Sequence, residues 1–303
     1  MLTAVVLTRN DERHIARCLE SVAGVADQVL VVDSFATDET VAVAKEHGAE
    51  VRHRAWISFS NQFNWALDQL DDDTEWVLRL DADEYLTPEL REEITARLAG
   101  LDGDVNGVSV DRRLVFQGCK IAHGGVYPVR TVRLFRRGHG RCEDRWINER
   151  ILVDGPVVHF AGELIDENLE SLSDWIERHN RYANREAVDL LDREYDFLGR
   201  GGEDAGGRSS GRGALQRLYF LLPAGLRAFL FFLYRYYLRL GFLDGKAGTT
   251  FHFLQGFWYR YLVDAKVREV RRCMAETGCD VEVAIERVLD IHTWRLRNAA
   301  AEA

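Results

Sequence analysis

The sequence predicts an α/β protein in which helices flank a sheet that begins as a parallel one. Three apolar runs, at residues 2–8, 28–32 and 76–80, are too short for helices and are typical of buried strands. Segments with helical spacing lie between these runs. Strands that alternate with helices imply right-handed crossovers and a parallel sheet. After residue 100, weaker alternation and turn glycines predict that the sheet becomes mixed.

The individual elements follow in regular order along the first hundred residues. Apolar positions at helical spacing predict a first helix that ends before Gly24, and a second helix opens near Thr37 and stops at Gly48. A short strand is expected at residues 50–52 and a helix at residues 58–70. A further helix begins at Thr87-Pro88-Glu89, where a capping hydroxyl precedes a proline and an acid.

The apolar run Trp76–Leu80 ends in three carboxylates within four positions, Asp81, Asp83 and Glu84. Ligands bind at the carboxyl edge of an open α/β sheet, and alternation along the strand lets Asp81 and Asp83 point the same way. Two such oxygen donors suit Mg²⁺ or Mn²⁺, which bind one or two carboxylates together with water and phosphate oxygens. The alternative is a solvated acidic turn before the next helix.

Three motifs occur in sequence: Leu7-Thr8-Arg9-Asn10-Asp11-Glu12, then Val31-Val32-Asp33-Ser34-Phe35-Ala36-Thr37-Asp38, then Leu80-Asp81-Ala82-Asp83-Glu84. Together they resemble the family 2 glycosyltransferases of GT-A fold. Gln62-Phe63-Asn64-Trp65-Ala66-Leu67 and Gly241-Phe242-Leu243-Asp244-Gly245 narrow the resemblance to bacterial lipopolysaccharide-core β-glucosyltransferases. The resemblance covers roughly residues 1 to 265. It implies a Rossmann-like mixed sheet and transfer of a sugar from a nucleotide-sugar donor. We expect that donor to be UDP-linked.

The resemblance also implies where the nucleotide lies. Thr8, Arg9 and Glu12 would surround it, and Asp33 would accept hydrogen bonds from the base or the ribose, as an acidic acceptor can. A helix-capping or turn role is the alternative for Asp33.

Gln62, Asn64 and Asp81 complete the implied donor set, with Asp81 near the ribose or metal-bound water. Asp83 would be the direct metal ligand. Its cation would neutralise charge that develops on the leaving nucleoside diphosphate. Ordinary surface amides of a helix are the alternative for Gln62 and Asn64.

A second acidic cluster spans residues 143–150. By similarity to the family, Glu149 is the expected general base of an inverting transfer, with Glu143 and Asp144 as alternatives. Many GT-A enzymes supply a later histidine to the metal, which makes His159 the second expected ligand. A satisfied core histidine in an apolar strand is the other interpretation.

Composition shifts divide the chain into three parts. Residues 1–198 are expected to form the catalytic domain, and residues 199–213, rich in Gly, Arg and Ser, a flexible segment. Residues 214–303 are expected to be helical and amphipathic. Aromatic side chains and interrupting arginines in residues 214–262 predict docking on an anionic membrane surface. A helical subdomain or a homodimer interface is the alternative there.

Net charge and cysteine spacing argue against some other classes of function. A net charge of −10 argues against general nucleic-acid binding, and five cysteines without a C-x-x-C pair predict reduced thiols rather than a zinc site. We see no signal peptide, and expect a cytoplasmic enzyme on the inner face of the plasma membrane that uses a glycan or lipid-linked acceptor. A sugar nucleotidyltransferase, which would show a glycine-rich phosphate loop, and a non-catalytic scaffold of the same fold are the alternative functions.

Overall fold

The computed structural model describes residues 1–143, 149–198 and 223–293. The chain forms two compact units, Met1–Glu170 and Ser171–Ala303. The first unit thus ends before the expected catalytic domain does, because the helix that follows Ser171 groups with the C-terminal helices. The predicted flexible segment 199–213, and residues 214–222 of the predicted docking region, lie outside the described residues.

The strands of the first unit follow the predicted runs closely where the apolar pattern is strong. They are β1 (Leu2–Thr8), β2 (Gln28–Asp33), β3 (Glu50–His53), β4 (Trp76–Asp81), β5 (Glu84–Leu86), β6 (Gly107–Phe116), β7 (Cys119–Lys120), β8 (Val129–Arg136), β9 (Gly140–Cys142), β10 (Ile151–Val153) and β11 (Val157–Glu167).

Among the described residues, nine of these strands form one mixed sheet. Its order is β3-β2-β1-β4-β8-β6-β11-β5, with β7 beside β6, while β9 and β10 form a separate hairpin. The first four neighbours, β3, β2, β1 and β4, are parallel, and β8 is antiparallel to both β4 and β6. The expected GT-A-like sheet, parallel at first and then mixed, is confirmed.

Two of the four helices described in the first unit begin at capping side chains. Ser58 and Thr87 each accept a backbone N–H of the first turn, and Pro88 occupies the first helical position. The helices are α1 (Ile15–Val22), α2 (Thr40–Glu46), α3 (Phe59–Asp68) and α4 (Pro88–Arg97), with a 3₁₀ turn at Leu98–Gly100.

The sheet is covered on both faces, which explains why its strands are continuously apolar. Along β1, Ala4 and Val6 belong to the core that contains α1 and α4, whereas Val5 and Leu7 belong to the core that contains α3. Each face of β1 is therefore buried. The polar residues of β1 and β2 lie at or next to the strand ends, whereas Arg79 is buried within β4.

The second unit is helical among its described residues. Its long first helix begins at a capping box formed by Ser171 and Asp174. None of the helices described in either unit combines the length and the apolar content that a membrane span requires. The helices are α5 (Leu172–Tyr195), α6 (Ala224–Leu233), α7 (Gly245–Phe253), α8 (Tyr259–Thr277) and α9 (Val281–Leu289), with π turns at Tyr234–Leu238 and Leu254–Trp258 and a 3₁₀ turn at Gly241–Asp244.

Candidate functional site

The ends of three adjacent parallel strands bring the predicted polar residues to one edge of the sheet. Thr8 of β1 pairs with Asp33 of β2, and Leu7 pairs with Asp81 of β4. Asp83 follows two residues later, in the turn between β4 and β5. The predicted common edge for Asp33, Asp81 and Asp83 is thus formed by strand register.

The loop after β1 is held by the carboxylate of Asp11. Asp11 Oδ2 accepts hydrogen bonds from Thr8 Oγ1 and from the backbone N–H of Arg9, both at 2.9 Å. Thr8 is buried, while Arg9 is exposed. The hydroxyl of Thr8 is therefore engaged in shaping the turn, and the side chain of Arg9 remains at the surface of the edge.

Glu12 binds the start of a neighbouring helix. Its Oε2 accepts the backbone N–H of Glu39 at 3.1 Å, and its own N–H donates to Asp38 Oδ2 at 3.2 Å. Carboxylates near a helix N-terminus satisfy donors that have no partner within the helix. Glu12, predicted to contact the nucleotide, thus ties the loop after β1 to the beginning of α2.

Asp33 is fully buried at the end of β2. Its two carboxylate oxygens accept the backbone N–H of Ala36 at 3.2 and 3.0 Å, and His53 Nδ1 lies 3.0 Å from Oδ2. The turn role considered from the sequence is realised. Beside it, Phe35 is 60% exposed at a φ of 58° and stacks on the His53 ring.

The two amides of α3 are not surface groups. Gln62 is fully buried and donates to Ser34 Oγ at 3.0 Å, beneath the turn that follows Asp33. Asn64 exchanges two hydrogen bonds with the backbone of Cys142, at 2.9 and 3.0 Å. Gln62 thus supports the turn at the end of β2, and Asn64 fixes the end of β9.

Asp81 lies between two buried guanidinium groups. Arg79 Nη2 is 3.6 Å from Asp81 Oδ1, and Arg133 Nη2 is 3.7 Å from Oδ2. Burial acts to raise the pKa of Asp81, but the positive charges of Arg79 and Arg133 outweigh it and lower that pKa. Asp81 is therefore ionised at neutral pH. Its buried Oδ1 has no hydrogen-bond partner among the described residues.

The third carboxylate of the motif faces inward. Glu84 begins β5, is almost fully buried, and forms a short ion pair with Arg133 of β8. Burial raises the pKa of Glu84 to about 8, against the opposing effect of Arg133. The solvated acidic turn that was the alternative interpretation is therefore not what this stretch forms.

Asp166 and Arg112 form a further charged pair next to Glu84, which the sequence did not predict. Asp166 of β11 pairs in register with Glu84, and Arg112 Nη1 lies 3.2 Å from Asp166 Oδ2. Burial, and next the charge of Asp83, raise the pKa of Asp166 to about 6. No local pattern in β6 or β11 marks these residues, because their proximity arises only when both strands join the sheet.

The chemistry of the Asp81–Asp83 pair fits a hard divalent cation. Asp83 Oδ2 accepts a hydrogen bond from the Asn168 amide at 3.2 Å, which orients the carboxylate, and Asp81 is ionised. The described residues contain no group of three or more potential ligands from His, Cys, Asp and Glu. Two carboxylates at one strand end suit Mg²⁺ or Mn²⁺, for which phosphate and water complete the coordination.

His159 lies away from that pair. It is in register with Ser109 near the beginning of β11, its Nδ1 lies 3.1 Å from the Ser109 carbonyl oxygen, and its Nε2 lies 3.8 Å from Asp111. Asp83 meets the far end of the same strand, where its carbonyl accepts the N–H of Glu167. The β6 partners of His159 and Glu167, Ser109 and Val115, are six residues apart, which at ~3.3 Å per residue corresponds to about 20 Å. The structure does not bring His159 and Asp83 together.

Glu149 and Glu143 lie at the two ends of the loop between β9 and β10, whose residues 144–148 are outside the described ranges. The backbone N–H of Glu143 donates to the Arg150 carbonyl at 2.8 Å. Burial raises the pKa of the Cys142 thiol to about 12; Arg79 opposes this rise, while Glu149 and Asp81 add to it. The charges of Glu149 and Asp81 thus act on one position, the end of β9.

Comparison with known proteins assigns this edge to a family. Residues 3–136, which contain β1 to β4 and the carboxylate motif, match the family model described as glycosyl transferase family 2. Over these residues the chain is similar to family 2 glycosyltransferases, and the resemblance expected from the sequence motifs is confirmed there.

Relatives of similar length extend the glycosyltransferase match over most of the chain. A lipopolysaccharide core biosynthesis glycosyltransferase, LpsC of Rhizobium meliloti, is 27% identical over 92% of this chain and 96% of its own. An uncharacterized glycosyltransferase of Rickettsia typhi is 26% identical over 89% of this chain and 87% of its own. The solved structure of S. aureus TarS with UDP-GlcNAc covers 88% of this chain and 91% of that chain, at 15% identity and a TM-score of 0.40.

Proposed function

We propose that this glycosyltransferase moves a sugar from a UDP-linked donor to a glycan or lipid-linked acceptor, with inversion at the anomeric carbon and with help from Mg²⁺ or Mn²⁺. The observation that carries the proposal is the strand-end edge at which Asp33, Asp81 and Asp83 meet within the family 2 domain. The similarity to a lipopolysaccharide core enzyme over nearly the whole chain supports an acceptor from cell-envelope polysaccharide or lipopolysaccharide synthesis.

Asp83 and Asp81 are the residues that would hold the cation. When bound, it would supply positive charge to the diphosphate that leaves the sugar. Arg79 and Arg133 keep Asp81 ionised at neutral pH, so this carboxylate can bind a cation without losing a proton. The hydrogen bond from Asn168 restricts the rotation of the Asp83 side chain.

In this proposal the donor nucleotide lies along the ends of β1 and β2. The exposed Arg9 is suited to the negative charge of the diphosphate, and Thr8 shapes the turn from which it extends. Asp33 would receive the base or ribose on a turn supported by Gln62. In this proposal Glu12, Gln62 and Asn64 act by positioning the loops rather than by contacting the nucleotide.

Glu149 is proposed as the general base. An acceptor hydroxyl becomes a competent nucleophile when its proton is removed in the transition state, and a carboxylate within hydrogen-bond reach can accept that proton. Attack from the face opposite the diphosphate inverts the anomeric carbon in one step. The bidentate hold of Asn64 on Cys142 fixes one end of the loop that carries Glu149.

The test uses the full chain with a panel of nucleotide sugars and candidate envelope acceptors. Glu149→Gln is expected to lower turnover by about 10²–10⁴-fold while donor affinity is retained, since an amide preserves shape but cannot take the proton. Glu143→Gln, at the other end of the same loop, is the matched control and is expected to retain turnover. NMR should show a β-linked product from an α-linked donor.

Three results would contradict the assignment. An α-linked product from an α-linked donor would exclude single displacement. A Glu149→Gln enzyme as fast as the wild type would exclude Glu149 as the base, and a slow Glu143→Gln enzyme with an unimpaired Glu149→Gln enzyme would transfer the role to Glu143.

A further inference from the structure

The second unit exposes a continuous set of aromatic rings, which we call the aromatic face. Successive ring centroids lie 5.1–6.2 Å apart along this set. Large exposed apolar patches on soluble proteins mark sites of contact with a partner or a membrane. The members at least 40% exposed are Phe229, Tyr237, Phe242, Phe253 and Tyr261, and Phe232, Tyr236 and Phe257 link them.

Three leucines extend the aromatic face at one end. Leu238, Leu240 and Leu243 surround the 3₁₀ turn and are 75%, 46% and 55% exposed. Leu238 ends the π turn that contains Tyr237, and Leu243 follows Phe242, so the leucines continue the aromatic surface along the chain. Exposing three large apolar side chains so close together in sequence to water is unfavourable.

The backbone beneath these leucines is tightly packed. Asp244 and His252 are both buried, with Oδ2 and Nε2 3.3 Å apart. A Cβ at Gly241 would lie 2.6 Å from the His252 ring, and a Cβ at Gly248 would lie 2.3 Å from Asp244 Cβ. Only glycine fits at these two positions, so the exposed leucines project from a fixed turn rather than from a loose loop.

The charge of this region is opposite to that of the whole chain. Residues 224–264 contain five basic side chains, Arg227, Arg235, Arg239, Lys246 and Arg260, and two acids, Asp244 and Asp264, in a chain of net charge −10. Asp264 forms an ion pair with Arg227, so the other four basic side chains carry the excess positive charge. Arg260 lies over the Phe231 ring at 3.9 Å, and Arg235 lies over the same ring at 5.7 Å. Burial, and next the charge of Arg260, lower the pKa of Arg235 to about 10.

We infer that the aromatic face, led by Leu238 and Leu243, docks the protein on the surface of an anionic lipid bilayer. Amphipathic surfaces with aromatic and leucine side chains enter the headgroup boundary, while arginine and lysine bind anionic lipid. Charge favours a bilayer over a second copy of this chain, because pairing two copies through this face would bring basic side chains against basic side chains. The inference does not depend on the transfer reaction.

The test is flotation of the full chain with vesicles of phosphatidylcholine, with and without phosphatidylglycerol. We expect the wild type to bind the anionic vesicles and to be released by high salt. The double variant Leu238→Asp/Leu243→Asp should bind at least about tenfold more weakly, because two apolar side chains no longer enter the bilayer. Val283→Asp, which changes an exposed valine in the first turn of α9 in the same unit, is the matched control and should bind as the wild type does.

Thermal unfolding of both variants, expected to match that of the wild type, checks that the fold is retained. Equal binding by the double variant, or no binding by the wild type, would overturn the inference. Light scattering separates the other occupants: a wild-type dimer that the double variant converts to a monomer would make the face an interface between copies. A monomer that ignores vesicles would mean that another segment of the chain covers it.

Discussion

The strand-end edge of the first unit and the aromatic face of the second depart in opposite ways from the usual distribution of side chains. At the edge, the charged groups of Asp33, Glu84 and Arg133 are buried, and ion pairs or hydrogen bonds compensate them. On the aromatic face, Tyr237 and Leu238 are exposed. Buried charge and exposed apolar surface both reduce stability, so each indicates a place where contact with another molecule is proposed.

The largest effect on stability is expected at the buried ion pair between Glu84 and Arg133, at the strand-end edge. Arg133→Met should lower the free energy of unfolding by about 3–5 kcal/mol at pH 9, because it leaves the Glu84 carboxylate buried without its cation. The deficit should be smaller at pH 6. The folded-state pKa of Glu84, about 8, lies above that of an exposed glutamate, so the folded protein loses stability as the pH rises between the two values and the carboxyl group ionises.

Urea unfolding at both pH values measures this effect, and the double variant Glu84→Gln/Arg133→Met is its control. Replacing both partners removes the uncompensated charge, and the double variant should recover most of the loss. An Arg133→Met protein as stable as the wild type at pH 9 would show that the charges of the edge are solvated rather than buried.

The smallest effect on stability is expected at the exposed leucines beside the aromatic face. Leu243→Ser should change the free energy of unfolding by less than about 0.5 kcal/mol, since the side chain is more than half exposed. Urea unfolding of the free protein tests this directly. A loss of 2 kcal/mol or more, roughly that of burying a leucine, would mean that Leu243 packs inside the protein and is not available to a membrane.

The parts of the fold that sequence predicts well are those with a strong local pattern. The continuous apolar runs of β1, β2 and β4 predicted strands buried on both faces, and their ends placed Asp33 and Asp81 at one edge. Ser58 and Thr87 marked helix starts because a capping hydroxyl acts within one turn.

The rest of the site depends on contacts between distant segments. Arg133 and Asp166 approach Glu84 only because β8 and β11 join the sheet, and no local pattern encodes that pairing. The resemblance to GT-A enzymes made His159 an expected metal ligand, but its register on the long strand β11 places it beside Ser109. Glu12 was predicted at the nucleotide, and its partner at the start of α2 was not visible in sequence.

The most direct test of the proposed chemistry is calorimetric titration of the full chain with a panel of nucleoside diphosphates, with and without Mn²⁺. Asp83→Asn removes the carboxylate proposed to hold the cation, and Asp72→Asn, at a fully exposed aspartate, is the matched control. We predict that Mn²⁺ strengthens nucleotide binding to the wild type and to Asp72→Asn, and that Asp83→Asn loses this gain while remaining folded. Equal Mn²⁺-dependent affinity in wild type and Asp83→Asn, or no metal-dependent binding in the wild type, would contradict the account.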